Sequence, residues 1–564
     1  MRFTARFDVN DRRGFSSVEG LTTSGFGWSF EYELDVHSSL VVTESLFVAV
    51  DGWIVSRDGQ SAERLLEAHQ EDSLSSYEHL NGEFVGVVID TKLNEIRFLR
   101  DRVGVRPLYM NSTGRRRVVA SSVKQIVDEP YVSREIDEEE VTFRLARLSP
   151  NISSTVYQQV KAIAPGTLLT LTENRHSQER ALTWDHVDRT ALTRNEAADV
   201  SRATVSLALD ASIPDPSRAG YELSGGLDSS SLVGLAASSH GADNVLAGRI
   251  LFEDSVADER RFSQAVIDHW GLESIDVAPM IPSQEQLATW VKELAHPVPL
   301  ANATMSAVLH SGFAETGRDV VVTGVGGDDA FADMGSGTRL IDALRTRDRE
   351  SLSRFGADIR ADPRREWGKS MRPGIVELLG RRNRRDPLPW ISDRAKEQYD
   401  VRSAFRARPK RVSRWRAIDD RWERFTEGPM ARILEDLALL EQLGWLRLTH
   451  PFIAPEVVEA TYGFHPDLPV IDGEDRAVQR VAFADVLPAL LQSRRSKAEF
   501  SSMGWQAFHA SGGIGELLGG PLSASGLVDL DYLNTRRNDA TNHLGAVLPL
   551  LQLASIDRWL RSIS

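Results

Sequence analysis

The chain has 564 residues, 41% of them apolar and 26% charged, with a formal net charge of −15. That length calls for two or three domains, the acidic balance argues against general nucleic-acid affinity, and no run approaches the ~18 apolar residues of a membrane span. None of the residues is cysteine, which removes disulfides, thiolate metal sites and any cysteine nucleophile.

The first segment, MRFTARFDVNDRRG, lacks an apolar signal core, so it reads as part of the fold and the protein as cytoplasmic. Residues 1–185 read as β-rich. The runs LFVAV (46–50), FVGVVI (84–89), IRFL (96–99), RVVAS (117–121) and TLLTL (167–171) are separated by Gly, Asn, Asp and Pro turns. Between them, 61–70 and 123–129 have helical spacing. From 194 a helical pattern leads into the strand of YELSGG, and strand and helix signals then alternate. VLAGRILF (245–252), a helix over 259–270, SIDVAP (274–279), helices over 283–295 and 303–317, and DVVVTG (319–324) follow in order. Such alternation implies a parallel sheet covered by helices, with ligands beyond the carboxyl ends of its strands. Beyond 338 the chain reads as mostly helical. Its arginine-dense stretch, 339–424, includes Arg381, Arg382, Arg384 and Arg385. Solvated helix faces and a loop are one reading of it; a contact surface for an acidic partner is the other.

The segment with most chemical content is Ser224-Gly225-Gly226-Leu227-Asp228-Ser229-Ser230, between an apolar run and a helix start. Paired glycines let successive N–H groups turn toward one point at a helix N-terminus, where an anion is favoured. The hydroxyls of Ser224, Ser229 and Ser230 add donors, while Asp228 would repel phosphate unless a cation lay between. A metal–polyphosphate site satisfies both. No lysine follows the glycines, so this is not a P-loop.

The same string resembles the SGGxDS pyrophosphate loop of the N-type ATP pyrophosphatases, which cleave ATP to AMP and pyrophosphate. Leu80-Asn81-Gly82-Glu83-Phe84, and Arg100-Asp101-Arg102 through Arg106-Pro107-Leu108-Tyr109, resemble the glutamine amidotransferase half of class B asparagine synthetases. TGVGGDDAF (323–331) resembles that family's second synthetase loop, HPFIAPEVVEA (450–460) its PFLD segment, and RSKAEFS (495–501) its lysine-bearing segment. The matches run in family order across nearly the whole chain. The resemblance implies an α+β Ntn-hydrolase-like sandwich over 1–185, an inactive glutaminase. An α/β parallel-sheet ATP pyrophosphatase domain with a helical C-terminal part would follow over 194–564.

By the same resemblance, ATP and Mg²⁺ are expected, with Asp228 and Asp328 as metal ligands and Asp329 an alternative to Asp328. Gly326 and Gly327 would join residues 224–230 in binding the nucleotide, and Lys497 would place its ammonium on charge developing around the acyl-adenylate. Asp258-Glu259 resembles a family DE pair, or else caps a helix. Two departures bear on function. Glutaminase members use an N-terminal cysteine thiolate, which this chain lacks. Val325 stands where asparagine synthetases have glutamate and β-lactam synthetases resemble a tyrosine, so the group that deprotonates the amine is not identified.

Among cysteine-free outcomes the chain resembles lasso peptide cyclases most. These adenylate an Asp or Glu side chain of a core peptide and close a macrolactam with its N-terminal amine. A precursor peptide, a leader peptidase and a leader-peptide-recognition protein are the expected partners. A β-lactam synthetase-like enzyme, an ammonia-dependent asparagine synthetase-like enzyme and an inactive scaffold remain alternatives.

Overall fold

The computed structural model describes residues 2–563 apart from 8–21, 26–27, 34–36, 56–59, 72, 114–115, 173–175, 214, 253–257, 333–337, 364–387, 407–412, 427–428, 496–500 and 537–543. Two six-stranded antiparallel sheets form the first part. One has the order β10-β8-β9-β1-β3-β2 and the other β12-β11-β7-β6-β5-β4. The strands are β1 (Arg2–Phe7), β2 (Thr22–Gly25), β3 (Trp28–Glu33), β4 (Ser38–Val42), β5 (Leu46–Ile54), β6 (Gly82–Asp90), β7 (Glu95–Arg100), β8 (Tyr109–Asn111), β9 (Arg117–Ala120), β10 (Val160–Ala162), β11 (Thr167–Thr172) and β12 (His176–Arg180).

Phe3, Ala5 and Phe30 from the first sheet meet Phe47, Val85, Val87, Ile96 and Phe98 from the second in one core. The opposite face of the second sheet, with Val48, Val50 and Val88, packs on α1 (Ser61–Gln70) through Leu65. Burial on both faces is why β5 and β6 read as continuous apolar runs and not as an alternation. The outer face of the first sheet carries α2 (Val123–Val127) and α3 (Glu138–Leu145). Strand β1, which the sequence places in the fold without assigning it a strand, lies inside its sheet between β9 and β3.

The second part opens with α4 (Arg194–Ser212), whose Thr193 and Glu196 form a capping box. A five-stranded parallel sheet follows, in the order β15-β14-β13-β16-β17. Its strands are β13 (Ala219–Glu222), β14 (Leu246–Ile250), β15 (Glu273–Val277), β16 (Val320–Val322) and β17 (Arg447–Thr449). Its helices include α5 (Leu227–His240), α6 (Arg260–Trp270), α7 (Gln284–Leu294) and α8 (Leu300–Glu315). Tyr221 and Leu223 face the α4–α5–α6 layer, while Gly220 sits under Phe313 of α8. The fifth strand, β17, was not expected from sequence. It spans three residues, too few for a periodicity to register.

The two parts share a core. Tyr109, Val118, Val123, Ile126 and Tyr157 cluster with Leu287, Val291, Leu550 and Trp559. Ion pairs line the seam: Arg102–Glu459 at 2.7 Å, Arg106–Glu441 at 2.5 Å, Arg144–Glu435 at 2.8 Å and Arg447–Asp51 at 2.5 Å. Of the arginines described in 339–424, Arg345, Arg347, Arg349, Arg354, Arg360, Arg394, Arg402 and Arg414 are exposed, as the solvated reading expects. Arg339, Arg416 and Arg421 depart from it and are buried, Arg339 against Asp358 and Asp467. Arg381, Arg382, Arg384 and Arg385 lie outside the described residues. Among the described residues, no helix is long and apolar enough to cross a membrane.

Candidate functional site

The loop between β13 and α5 builds the centre of the site. Gly225 takes φ +82°, and a side chain there would press on the backbone N of Ser263 at 2.9 Å, so the turn accepts only glycine. Gly226 is the N-cap of α5 and provides no side-chain cap, which leaves the first N–H groups of that helix for a ligand. Ser224 and Ser229 join through their hydroxyls at 3.1 Å, and Gly226 N–H donates to Ser224 Oγ at 3.2 Å. Leu227 is buried in the core and offers the site only its backbone. Ser230 corrects an expectation. It is fully buried, with no hydroxyl partner among the described residues, so it does not extend the row of donors at the surface.

The loop after β16 comes to the same place. Gly326 is left-handed at φ +91° and starts α9 (Gly327–Phe331), with Asp328 and Asp329 in its first turn. A Cβ on Gly327 would lie 2.4 Å from Asp228 Cγ, so the two loops touch only because that position is glycine. Asp228 accepts from Arg476 at 2.6 Å and from Gln479 at 3.0 Å, and the same Arg476 guanidinium pairs with Asp328. Burial pushes the Asp228 carboxyl up, Arg476 pulls it back down, and Asp328 adds repulsion. Asp329 points elsewhere, to Arg424 at 3.2 Å, which leaves Asp328 as the partner of Asp228.

Two carboxylates on adjacent strand ends, already sharing one cation, fit a divalent metal whose shell phosphate oxygens and water complete. Among the described residues no group of three or more His, Asp or Glu could hold a metal on its own. The donor set therefore suits a metal that arrives with a nucleotide.

Arg476 had no signal in the sequence. It follows a two-residue hairpin strand, Glu474–Asp475, and holds a left-handed backbone at φ 58°. That conformation costs a non-glycine residue about 1–2 kcal/mol. Arg494, just before the RSKAEFS segment, has no assignment from the sequence. It is buried, stacked over Phe262 at 4.1 Å, paired with Glu259 and donating to Gly225 O at 2.5 Å. The Asp258-Glu259 pair thus divides its work. Asp258 accepts from Arg260 N–H at 2.9 Å at the start of α6, and Glu259 reaches Arg494 under the glycine turn. Lys497, three residues beyond Arg494, lies outside the described residues.

Val325, like Trp184, packs against a buried core cluster that includes Trp415, Trp422, Phe425, Ile453 and Tyr462. Behind this loop a buried relay reaches the first part of the chain. Thr323 Oγ1 and His450 Nδ1 are 2.7 Å apart, His450 N–H donates to Glu83 at 2.9 Å, and Arg106 lies 3.7 Å from the other Glu83 oxygen. Asp101 accepts from the N–H groups of Val103, Gly104 and Arg106, holding the loop that projects Arg102 and Arg106.

A family model described as asparagine synthase matches residues 202–561, and one described as glutamine amidotransferase domain matches 56–182. Among characterised proteins, amidase chyE of Penicillium rubens is 25% identical over 332 residues, covering 54% of this chain and 45% of that protein. Amidase chry2 of Gibberella zeae is 24% identical over 296 residues, covering 48% and 42%. The glutamine-hydrolysing asparagine synthetase 3 of Bacillus subtilis is 27% identical over 193 residues, covering 31% and 28%. The matches span less than half the length of each of these relatives. With most of its length under one family model, the chain belongs to the asparagine synthase family.

Proposed function

We propose that this ATP-dependent amide ligase is a lasso peptide macrolactam synthetase. The carboxylate of an Asp or Glu side chain in a core peptide attacks the α-phosphorus of ATP, and pyrophosphate leaves. The peptide's N-terminal amine then attacks the acyl carbon, AMP leaves, and an isopeptide ring results. Mg²⁺ held by Asp228 and Asp328 would neutralise charge on the departing pyrophosphate. Ser224 and the N–H groups of Gly225 to Ser229 would hold the phosphates, and Gly326 and Gly327 would let the second loop close on them. Lys497 would sit on the charge that develops at the acyl group.

The observation that carries this reading is the composition of the chain, in which no thiolate is present to release ammonia from glutamine. The lack of any cysteine supports an amine that comes from the substrate itself. A precursor peptide, a leader peptidase and a leader-recognition protein are the partners this reading requires, and the cytoplasm is the compartment it suits. The amide chemistry in the names of the two fungal relatives is compatible with the bond class.

ATP–pyrophosphate exchange tests the reading. Purified protein with a core peptide bearing a small N-terminal residue and an internal Asp or Glu should exchange label and release AMP with a cyclised product. Exchange driven instead by aspartate and ammonia, or by a small β-amino acid, would move the enzyme to the ammonia-dependent asparagine synthetase or β-lactam synthetase class. No exchange with any carboxylate would leave an inactive scaffold.

A further inference from the structure

The loop after β16 is clamped from two directions. On one side it lies against the phosphate loop, where a Cβ on Gly324 would come 3.0 Å from Ser229 N. On the other it lies against residues 449–453. Thr323 N–H donates to Thr449 O at 3.1 Å, and a Cβ on Gly326 would strike Ile453 Cγ2. Where Asp328 stands relative to Asp228 is therefore set by where residues 449–453 stand.

Their own sheet is not all that holds those residues. Strand β17, which leads into them, is the edge strand and pairs with β16. The first part of the chain fastens it at three points. Arg447 pairs with Asp51 at 2.5 Å, the Leu448 carbonyl accepts from Arg106 at 2.7 Å, and His450 N–H donates to Glu83 at 2.9 Å. Docking thus uses the backbone of His450, while its ring reaches the loop. The ring Nδ1 lies 2.7 Å from Thr323 Oγ1, and that oxygen accepts from Val325 N–H at 3.3 Å. Glu83, His450 and Thr323 are each no more than 2% exposed, so water does not replace a lost partner.

We propose that the cysteine-free first part acts in synthesis by fixing the loop that carries Asp328, and that His450 and Thr323 are the positioning residues through which it does so. The proposal rests on the chain being an ATP-using ligase that holds Mg²⁺ between Asp228 and Asp328. Losing the groups that orient a metal's ligands costs about 10–100-fold in metal affinity. A domain without its own chemistry is then kept for the geometry it imposes on its neighbour.

Binding of Mn²⁺ with α,β-methylene-ATP, which cannot be cleaved to AMP, reads this without turnover. Free Mn²⁺ is followed by electron paramagnetic resonance, with the full chain. Thr323→Val keeps the shape and removes the hydroxyl, and His450→Leu removes the ring while keeping the backbone bond to Glu83. Each should weaken binding by about 10–100-fold. Thr323→Ser and His450→Asn keep a polar atom in place and should bind close to wild type. From the far end, Glu83→Leu should weaken binding and Glu83→Gln should not. A merely structural role would lower the unfolding temperatures of Thr323→Val and His450→Leu and leave their affinities unchanged well below them, which would overturn the proposal. Wild-type affinity in a folded Glu83→Leu chain would overturn the part given to the first domain. Should that chain not fold, His450→Leu decides, since it breaks only the link to the loop. A wild-type protein that binds no Mn²⁺–nucleotide would overturn the ATP-dependent reading, and this proposal with it.

Discussion

Glu83→Gln isolates the buried relay between the two parts of the chain. Glu83 is fully buried, accepts from His450 N–H at 2.9 Å and stands 3.7 Å from Arg106. Burial pushes its carboxyl from an ordinary 4.5 to about 7, more than the Arg106 guanidinium and the His450 N–H draw it back. The folded protein therefore holds this proton more tightly than the unfolded chain, and the wild type loses stability as pH rises from 4.5 through 7. At 1.36 kcal/mol per unit the loss amounts to about 3 kcal/mol. Glutamine keeps the oxygen that His450 needs and does not titrate. Its amide places a donor toward Arg106, a cost of about 1 kcal/mol. The variant should thus be slightly less stable than wild type at pH 5 and more stable by about 2 kcal/mol at pH 8. Urea unfolding followed by tryptophan fluorescence at both pH values gives the two differences, with equal slopes required for the comparison. A difference that does not change between pH 5 and pH 8 would mean that Arg106 keeps Glu83 ionised throughout, and the argument from burial would be wrong.

Other expectations follow from the contacts at the two loops. Asp228→Asn removes the charge that Arg476 and an incoming metal share, so AMP formation should vanish while thermal unfolding changes little; turnover at saturating Mg²⁺ would refute the assignment. Gly327→Ala drives a methyl into Asp228, whose short side chain is held by Arg476 and Gln479. A displacement of that size should lower kcat by about 10²-fold, and a fully active variant would show that the loops need not touch. Removing residues 1–185 strips partners from Glu435, Glu441 and Glu459 and opens the shared core, so the remaining fragment should aggregate; a soluble, active fragment would contradict this. Lys497→Met should lower kcat and kcat/KM together by roughly 10²–10³-fold with the KM for ATP little changed, and a change in KM alone would make the lysine a ground-state phosphate contact.

What the sequence made legible was local. Strand, glycine turn and helix start lie within ten consecutive residues around Ser224, so the phosphate loop could be read directly, and the apolar runs of β5 to β7 were readable because both faces of their sheet are buried. The partner of Asp228 was not readable, since Arg476 is 248 positions away and nothing in its own neighbourhood marks it. The burial of Arg339 and of Arg494 was not legible for a related reason. A count of arginines cannot show that each is paired with a particular acid, Asp358 in one case and Glu259 in the other. Ser230 was overvalued because a helix beginning does not reveal which side of its first turn faces inward.

The loop held by Asp101 has a diagnostic consequence. The residues that most resemble a glutaminase, Glu83, Arg102 and Arg106, spend their hydrogen bonds on His450, Glu459, Glu441 and the Leu448 carbonyl. In a chain with no thiol, selection can keep every one of them for assembly alone. A search that counts Leu80-Asn81-Gly82-Glu83-Phe84 and Arg100-Asp101-Arg102 as marks of glutamine hydrolysis is therefore detecting a docking surface. In proteins of this kind the competence to release ammonia has to be judged from the nucleophile, and the motif testifies only to which half the domain was shaped to hold.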